Sequence, residues 1–184
     1  TVTGVQTCAL PISTPGTTYM FRLAGVNGFS GAASITIDEM GPAPANDDLA
    51  AAAPLTLGVS SGWVQLPDAS LETGEPTTFA NGIATKSVWY SWTAPSSMRI
   101  RVSPRFGECC GGGTSLFRVD GPGFAGLTLL RETYWSSPLD FTATPGTTYM
   151  FRLAGVNGFS AAASITIDEM ARVATVPSAR SEEH

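Results

Sequence analysis

The stretch "KSVWYSWTAPSSMRIRVSP", Lys86 to Pro104, decides the fold class. In its first half Val88, Tyr90 and Trp92 fall on one side of an extended chain, and Trp89 and Ser91 on the other. Period two marks a strand that packs mainly through one face. The second half repeats the alternation, with Met98, Ile100 and Val102 set against Arg99 and Arg101. The intervening "APSS" has turn composition, so the two runs are predicted to form a hairpin.

Downstream, "RFGECCGGG" reads as a loop. It is followed by "TSLFRVDG", "LTLLRETY", "SPLDFTA", "TTYMFRLAGV" and "SAAASITIDE", each bounded by Gly, Pro, Asn or Ser. Short strands at regular spacing with turn punctuation predict an all-β, antiparallel sandwich or barrel. In the last two runs Tyr149, Phe151 and Leu153 alternate with Met150 and Arg152, and Ile165 and Ile167 with Ser164, Thr166 and Asp168. The Asn-Gly of "VNGF" is the turn expected between them. Upstream, Gly41 to Ala45 is a linker with two prolines. A short helical turn at Asp48 to Ala53 is predicted, with Asn46 or Asp47 as its cap and Pro54 as its stop. "PLTLG" and "SGWVQL" read as opening strands, and Pro67 to Thr85 as a polar loop.

The final hairpin is written twice. Thr14 to Met40 matches Thr144 to Met170 with one difference, Gly31 against Ala161. A repeat of that length, carrying about two strands, suggests a tandem array of domains; an assembly error joining two copies of one domain gives the same pattern. The ends read differently. "TVTGVQTCALPI" back-translates without strain into a sequencing-library adapter, and "RSEEH" at Arg180 to His184 back-translates into the reverse complement of that adapter's end. Residues 1–13 and 180–184 are therefore set aside as non-native. That removes Cys8 and the single histidine, His184. The whole chain carries a formal charge of −5; without those ends 9 basic and 13 acidic side chains leave −4. Such a mildly acidic chain has no basic patch for nucleic acid, and no run approaches the ~20 apolar residues of a membrane span.

The succession "NDDLAAAAPL", "ETGEP", "SVWYSWTAP" and "FTATPGTTYMFRLAG", in order over Asn46 to about Ile167, resembles the bacterial pre-peptidase C-terminal domain. The resemblance implies a jelly-roll-like β-sandwich, appended to secreted bacterial peptidases and other extracellular proteins, often in tandem. On that basis residues 14–40 are the orphan closing hairpin of a preceding repeat, 41–45 a linker, 46–170 the sandwich and 171–179 a tail. The implied function is a non-catalytic accessory module of a secreted or cell-surface bacterial protein, with a parent catalytic domain in cis. The alternative is a module that binds an extracellular polymer, a collagen-like protein or a polysaccharide. Where family members carry an acidic "FDT"-like stretch, this chain has "CCGGGTS", which places any role of those carboxylates in doubt here.

No histidine in the native part means no base for a Ser-His-Asp or Cys-His arrangement and too few ligands for a histidine-based zinc site. Glu72 and Glu75 are a carboxylate pair, expected to be solvated loop acids with ordinary titration. Adjacent Cys109 and Cys110 can pair only through a strained ring; they read as loop thiols, or as a cross-link to another copy. Asn46, Asp47 and Asp48, together with Glu75, supply oxygen ligands of the kind calcium takes. The same Asn and Asp residues are also ordinary helix caps. The resemblance adds that collagen-binding relatives place calcium at the linker-domain junction. Of the aromatics, Tyr90 and Trp92 belong to the core, whereas Trp89, on the opposite face, and Tyr134 and Trp135, in a predicted loop, are the candidates for a ligand groove.

Overall fold

The computed structural model describes residues 16–25, 28, 31–35, 37, 41–79, 82–107, 111–159 and 161–171. Ten strands are formed among them: β1 (Ala53–Pro54), β2 (Val64–Gln65), β3 (Thr78–Phe79), β4 (Gly82–Thr93), β5 (Met98–Phe106), β6 (Gly112–Val119), β7 (Leu127–Tyr134), β8 (Leu139–Ala143), β9 (Thr148–Val156) and β10 (Ala162–Glu169). They make two sheets, β1-β4-β9-β6-β7 with β3 added to β4, and β2-β10-β5-β8. All pairings are antiparallel except β1 with β4. The core between the sheets takes Val88, Tyr90 and Trp92 from β4, Ile100 and Val102 from β5, Leu116 from β6, Phe151 and Leu153 from β9, and Ile165 and Ile167 from β10. The antiparallel jelly-roll-like sandwich is thus the observed fold.

Two predicted hairpins are not hairpins. β4 belongs to the first sheet and β5 to the second, so "APSS" carries the chain across the sandwich. Gly146 N–H donates to Ala94 O at 2.8 Å and Ala94 N–H to Thr147 O at 3.0 Å, which ties that corner down. Likewise β9 and β10 lie in different sheets, and the Asn157-Gly158 turn, with φ of 55° and 81°, is a corner too. Alternation shows which face of a strand is apolar; it does not show whether the next strand lies beside it or opposite. Among consecutive long strands, β6 and β7 do pair as neighbours.

The first copy of the duplicated segment differs from the second. The described residues of the first copy, 16–25, 28, 31–35 and 37, are exposed and carry no strand. The reason is topological: β9 pairs with β4 and β6, and β10 with β2 and β5, so neither supplies the other's ladder. Both strands of the unit thus depend on neighbours from elsewhere in the sandwich, and a two-stranded unit by itself is marginal in water.

Further differences are local. The helical turn is a 3-10 turn, Leu49–Ala51, whose cap position is Asp48 with no side-chain cap bond. "PLTLG" contributes only Pro54 to a two-residue strand. Gly112 and Gly113, read as loop, open β6. A Cβ on Gly112 would lie 2.3 Å from the Phe106 ring, and one on Gly113 would lie 2.6 Å from the Phe79 ring. Those glycines let aromatic rings rest directly on the backbone.

Candidate functional site

The outer face of the β4-β9-β6 sheet is sealed by a third layer. Trp89, Phe117 and Met150 point outward from three adjacent strands and are buried beneath Leu49, Ala52 and Phe124. Residues 46–52 and 70–79 form the strap. Trp89 N–H donates to Asn46 O at 2.8 Å, and Asn46 Nδ2 donates to Trp89 O at 2.9 Å. Asp47 accepts from Ser70 N and Ser70 Oγ, both at 2.7 Å, and Glu72 accepts from Leu49 N. Lys86 Nζ donates to Pro67 O, and burial lowers its pKa against the opposing pull of Asp68.

Beneath the strap lies the main buried ionic cluster. Arg152 is fully buried, with Nη1 3.3 Å from Glu75 Oε1 and Nη2 3.8 Å from Glu132 Oε1. Nη1 also donates to Pro76 O, and Nη2 donates to Ser115 Oγ at 3.0 Å, which in turn donates to Glu132 Oε1 at 3.1 Å. The guanidinium lies 4.6 Å from the Phe79 ring centroid and 5.6 Å from that of Phe117. Burial pushes the Glu75 carboxyl above the usual carboxylate range and pulls Arg152 below its own, while the charge of each opposes the other's shift. Among the described residues Arg152 Nε and Trp89 Nε1 have no hydrogen-bond partner. Glu75 was expected in solvent; it is buried because Arg152 draws the loop onto the sheet and supplies the counter-charge a buried carboxylate needs.

The open face of the molecule lies at one end of the sandwich. A groove of about 540 Å³ is lined by Gly111, Gly112, Tyr134, Trp135, Val156 and the Asn157–Phe159 turn. Trp135 is 57 % exposed and holds φ of 55°, a conformation a bulky side chain adopts only under constraint. The Trp135 N–H donates to Gly112 O at 2.8 Å, which fixes that backbone. Tyr134 is half-buried, its ring edge-on to Phe79 at 6.0 Å. Beyond the same loop a second, smaller depression is bordered by Trp63, 58 % exposed, with Arg105, Ser136 and Pro138.

Trp89, expected at a ligand surface, is instead inside. Its outward direction was legible, but the covering strap was not. Asn46, Asp47 and Glu75 take separate partners, Asp48 stands at the cap of the 3-10 turn, and among the described residues no group of three or more His, Cys, Asp or Glu side chains converges as metal ligands. Cys109 and Cys110 lie outside the described residues. Sequence reasoning missed Arg152, Glu132 and the Phe159 wall of the groove. The available signal was the apolar outward set Trp89, Phe117 and Met150, which implies a covered face.

No family model matches the chain, and no curated protein matches it in sequence. Among solved structures it is similar to the pre-peptidase C-terminal domain of a collagenase from Bacillus anthracis: 12 % identity, TM-score 0.45, covering 64 % of this chain and 94 % of that one. It is also similar to PliG of Aeromonas hydrophila, a periplasmic inhibitor of g-type lysozyme (10 %, TM-score 0.42, 65 % and 96 %). A family 35 carbohydrate binding module from an environmental isolate matches at 15 % identity and TM-score 0.34, over 64 % and 85 %. At these identities the likeness extends no further than the fold.

Proposed function

We propose that residues 46–170 are a non-catalytic accessory module of a secreted bacterial multidomain protein, of the pre-peptidase C-terminal kind that the sequence resembles. The observation that carries this reading is the fate of the ionisable groups. Glu75 and Arg152 are buried under a strap, with the partly buried Glu132 beside them, and their contacts go to holding it. A perturbed carboxylate belongs to chemistry when it faces a cleft; Glu75 faces the Arg152 guanidinium, which is itself enclosed by the Phe79 and Phe117 rings.

A second reading, binding of an extracellular polymer, is favoured by one observation: Trp135 is held exposed in a left-handed conformation on the rim of the groove. Its indole offers a flat face to a sugar ring or a prolyl side chain. The test is a pull-down of the full chain on collagen, chitin and cellulose beside a Trp135→Ala variant, with soluble products assayed in the same tubes. Retention lost in Trp135→Ala with an unchanged Tm supports polymer binding. No retention on any matrix leaves the spacer reading, and release of products overturns both. A calcium ion at the strap would draw on Asp47 and Asp48, since Asn46 and Glu75 are turned inward. A rise in Tm on adding calcium to chelated protein supports that site; an unchanged Tm removes calcium from the reading.

A further inference from the structure

The duplicated segment acquires a meaning once its twin's position is known. Residues 144–170 supply β9 and β10, and each is an interior strand, β9 between β4 and β6, β10 between β2 and β5. Phe151, Leu153, Ile165 and Ile167 fill the core, and Arg152 closes the ionic cluster on the outer face. Residues 14–40 carry the same side chains at the same spacing: Phe21, Leu23, Ile35, Ile37 and Arg22. In this copy the apolar four are exposed by 51 to 70 %. The segment is therefore fitted on both faces to a slot in this fold. Its apolar side matches the core, and Arg22 matches the two carboxylates, Glu75 and Glu132, that the slot presents.

The slot it fits is not its own. Gly41 N–H donates to Asp68 Oδ1 at 3.0 Å, and Asp68 closes the 3-10 turn that follows β2. β2 pairs with the beginning of β10, Gln65 opposite Ala162. The end of β10 lies at the other edge, where Glu169 is opposite Ile100 and Met170 N–H donates to Arg99 O at 2.8 Å. The rise along a strand separates those ends by about 23 Å. Met40 cannot take the place of Met170 while Gly41, one peptide later, stays on Asp68.

We propose that residues 14–40 are a donor of closing strands, seating as β9 and β10 in a second copy of this chain. The local pair holds the slot by default: it is joined to β8 by a short turn, and Ala161, buried, replaces Gly31. Exchange therefore acts where the local pair is displaced or impaired. Because donor and acceptor surfaces differ, the contact is head-to-tail and able to propagate.

The experiment uses full-length chains. An acceptor variant carries Phe21→Asp, Ile35→Asp, Phe151→Asp and Ile165→Asp, which disable both of its copies; a donor-dead chain carries only Phe21→Asp and Ile35→Asp. The acceptor is refolded from denaturant alone, with one equivalent of wild type, or with one equivalent of the donor-dead chain. The expected result is no native circular dichroism from the acceptor alone, recovery with wild type in a species of two-chain mass, and no recovery with the donor-dead chain. Failure of wild type to rescue, equal rescue by the donor-dead chain, or a folded monomeric acceptor would each overturn the proposal.

Discussion

The two sheets of this sandwich present outer faces with opposite fates, and an arginine marks each. Arg101 on β5 points outward from its sheet and grips Asp140 of β8 with two bonds of 2.8 Å, with its side chain 47 % exposed. Arg152 on β9 also points outward, and it is fully buried. Both alternate with core residues and both meet carboxylates. What separates them is the strap: residues 46–52 and 70–79 cover one face and nothing among the described residues covers the other in the same way. An ion pair in water returns little, because its partners were already well solvated. The same pair under a strap becomes a condition for closing the strap, because each charge is intolerable there alone.

The comparison is broken most forcefully at Arg152. Arg152→Met leaves Glu75 buried without a counter-charge and is expected to cost about 3–5 kcal/mol, read as a large fall in urea midpoint. Arg152→Met combined with Glu75→Leu is expected to recover more than half of that loss, because the buried pair is removed as a unit. If the double variant is no better than the single, the ion pair is not what holds the strap.

A subtler effect is expected from pH. Burial raises the folded-state pKa of Glu75 above the ordinary 4.5. A raised carboxyl pKa favours the folded state below the unfolded value and loses that advantage as pH rises through the folded one. Glu75→Gln mimics the protonated form, so wild type should lose stability relative to Glu75→Gln as pH climbs from about 4 toward neutrality. Tm measured across that range for both chains checks the sign; a trend in the opposite direction shows that Arg152 outweighs desolvation. Smallest of all is Arg101→Ala, which should leave Tm unchanged within error and insensitive to salt. A clear loss there would show that the open face is as structural as the sealed one.

Alternation in "KSVWYSWTAP" and "SMRIRVSP", with the short strands that follow, was enough to predict an all-β sandwich or barrel and to place Val88, Tyr90, Trp92, Ile100 and Val102 on the side that becomes its core. Such residues are legible because the strand period is two and one face must be dry. Of the candidate residues, Tyr134 and Trp135 line the groove at the end of the sandwich. The burial of Trp89 and Glu75 was not legible, since it depends on a strap whose own sequence is polar.

Sequence alone determined where the long strands run, which face of each is apolar, and that one two-strand unit is written twice. Tertiary structure decided which strands pair, that "APSS" and "VNGF" are corners between sheets, and which of the two near-identical segments supplies β9 and β10. The physical reason is that periodicity is a property of one strand, whereas pairing, covering and counter-charge belong to whatever the fold places beside it. Residues 14–40 and 144–170 hold the same local information, and only the second lies between neighbours that complete it.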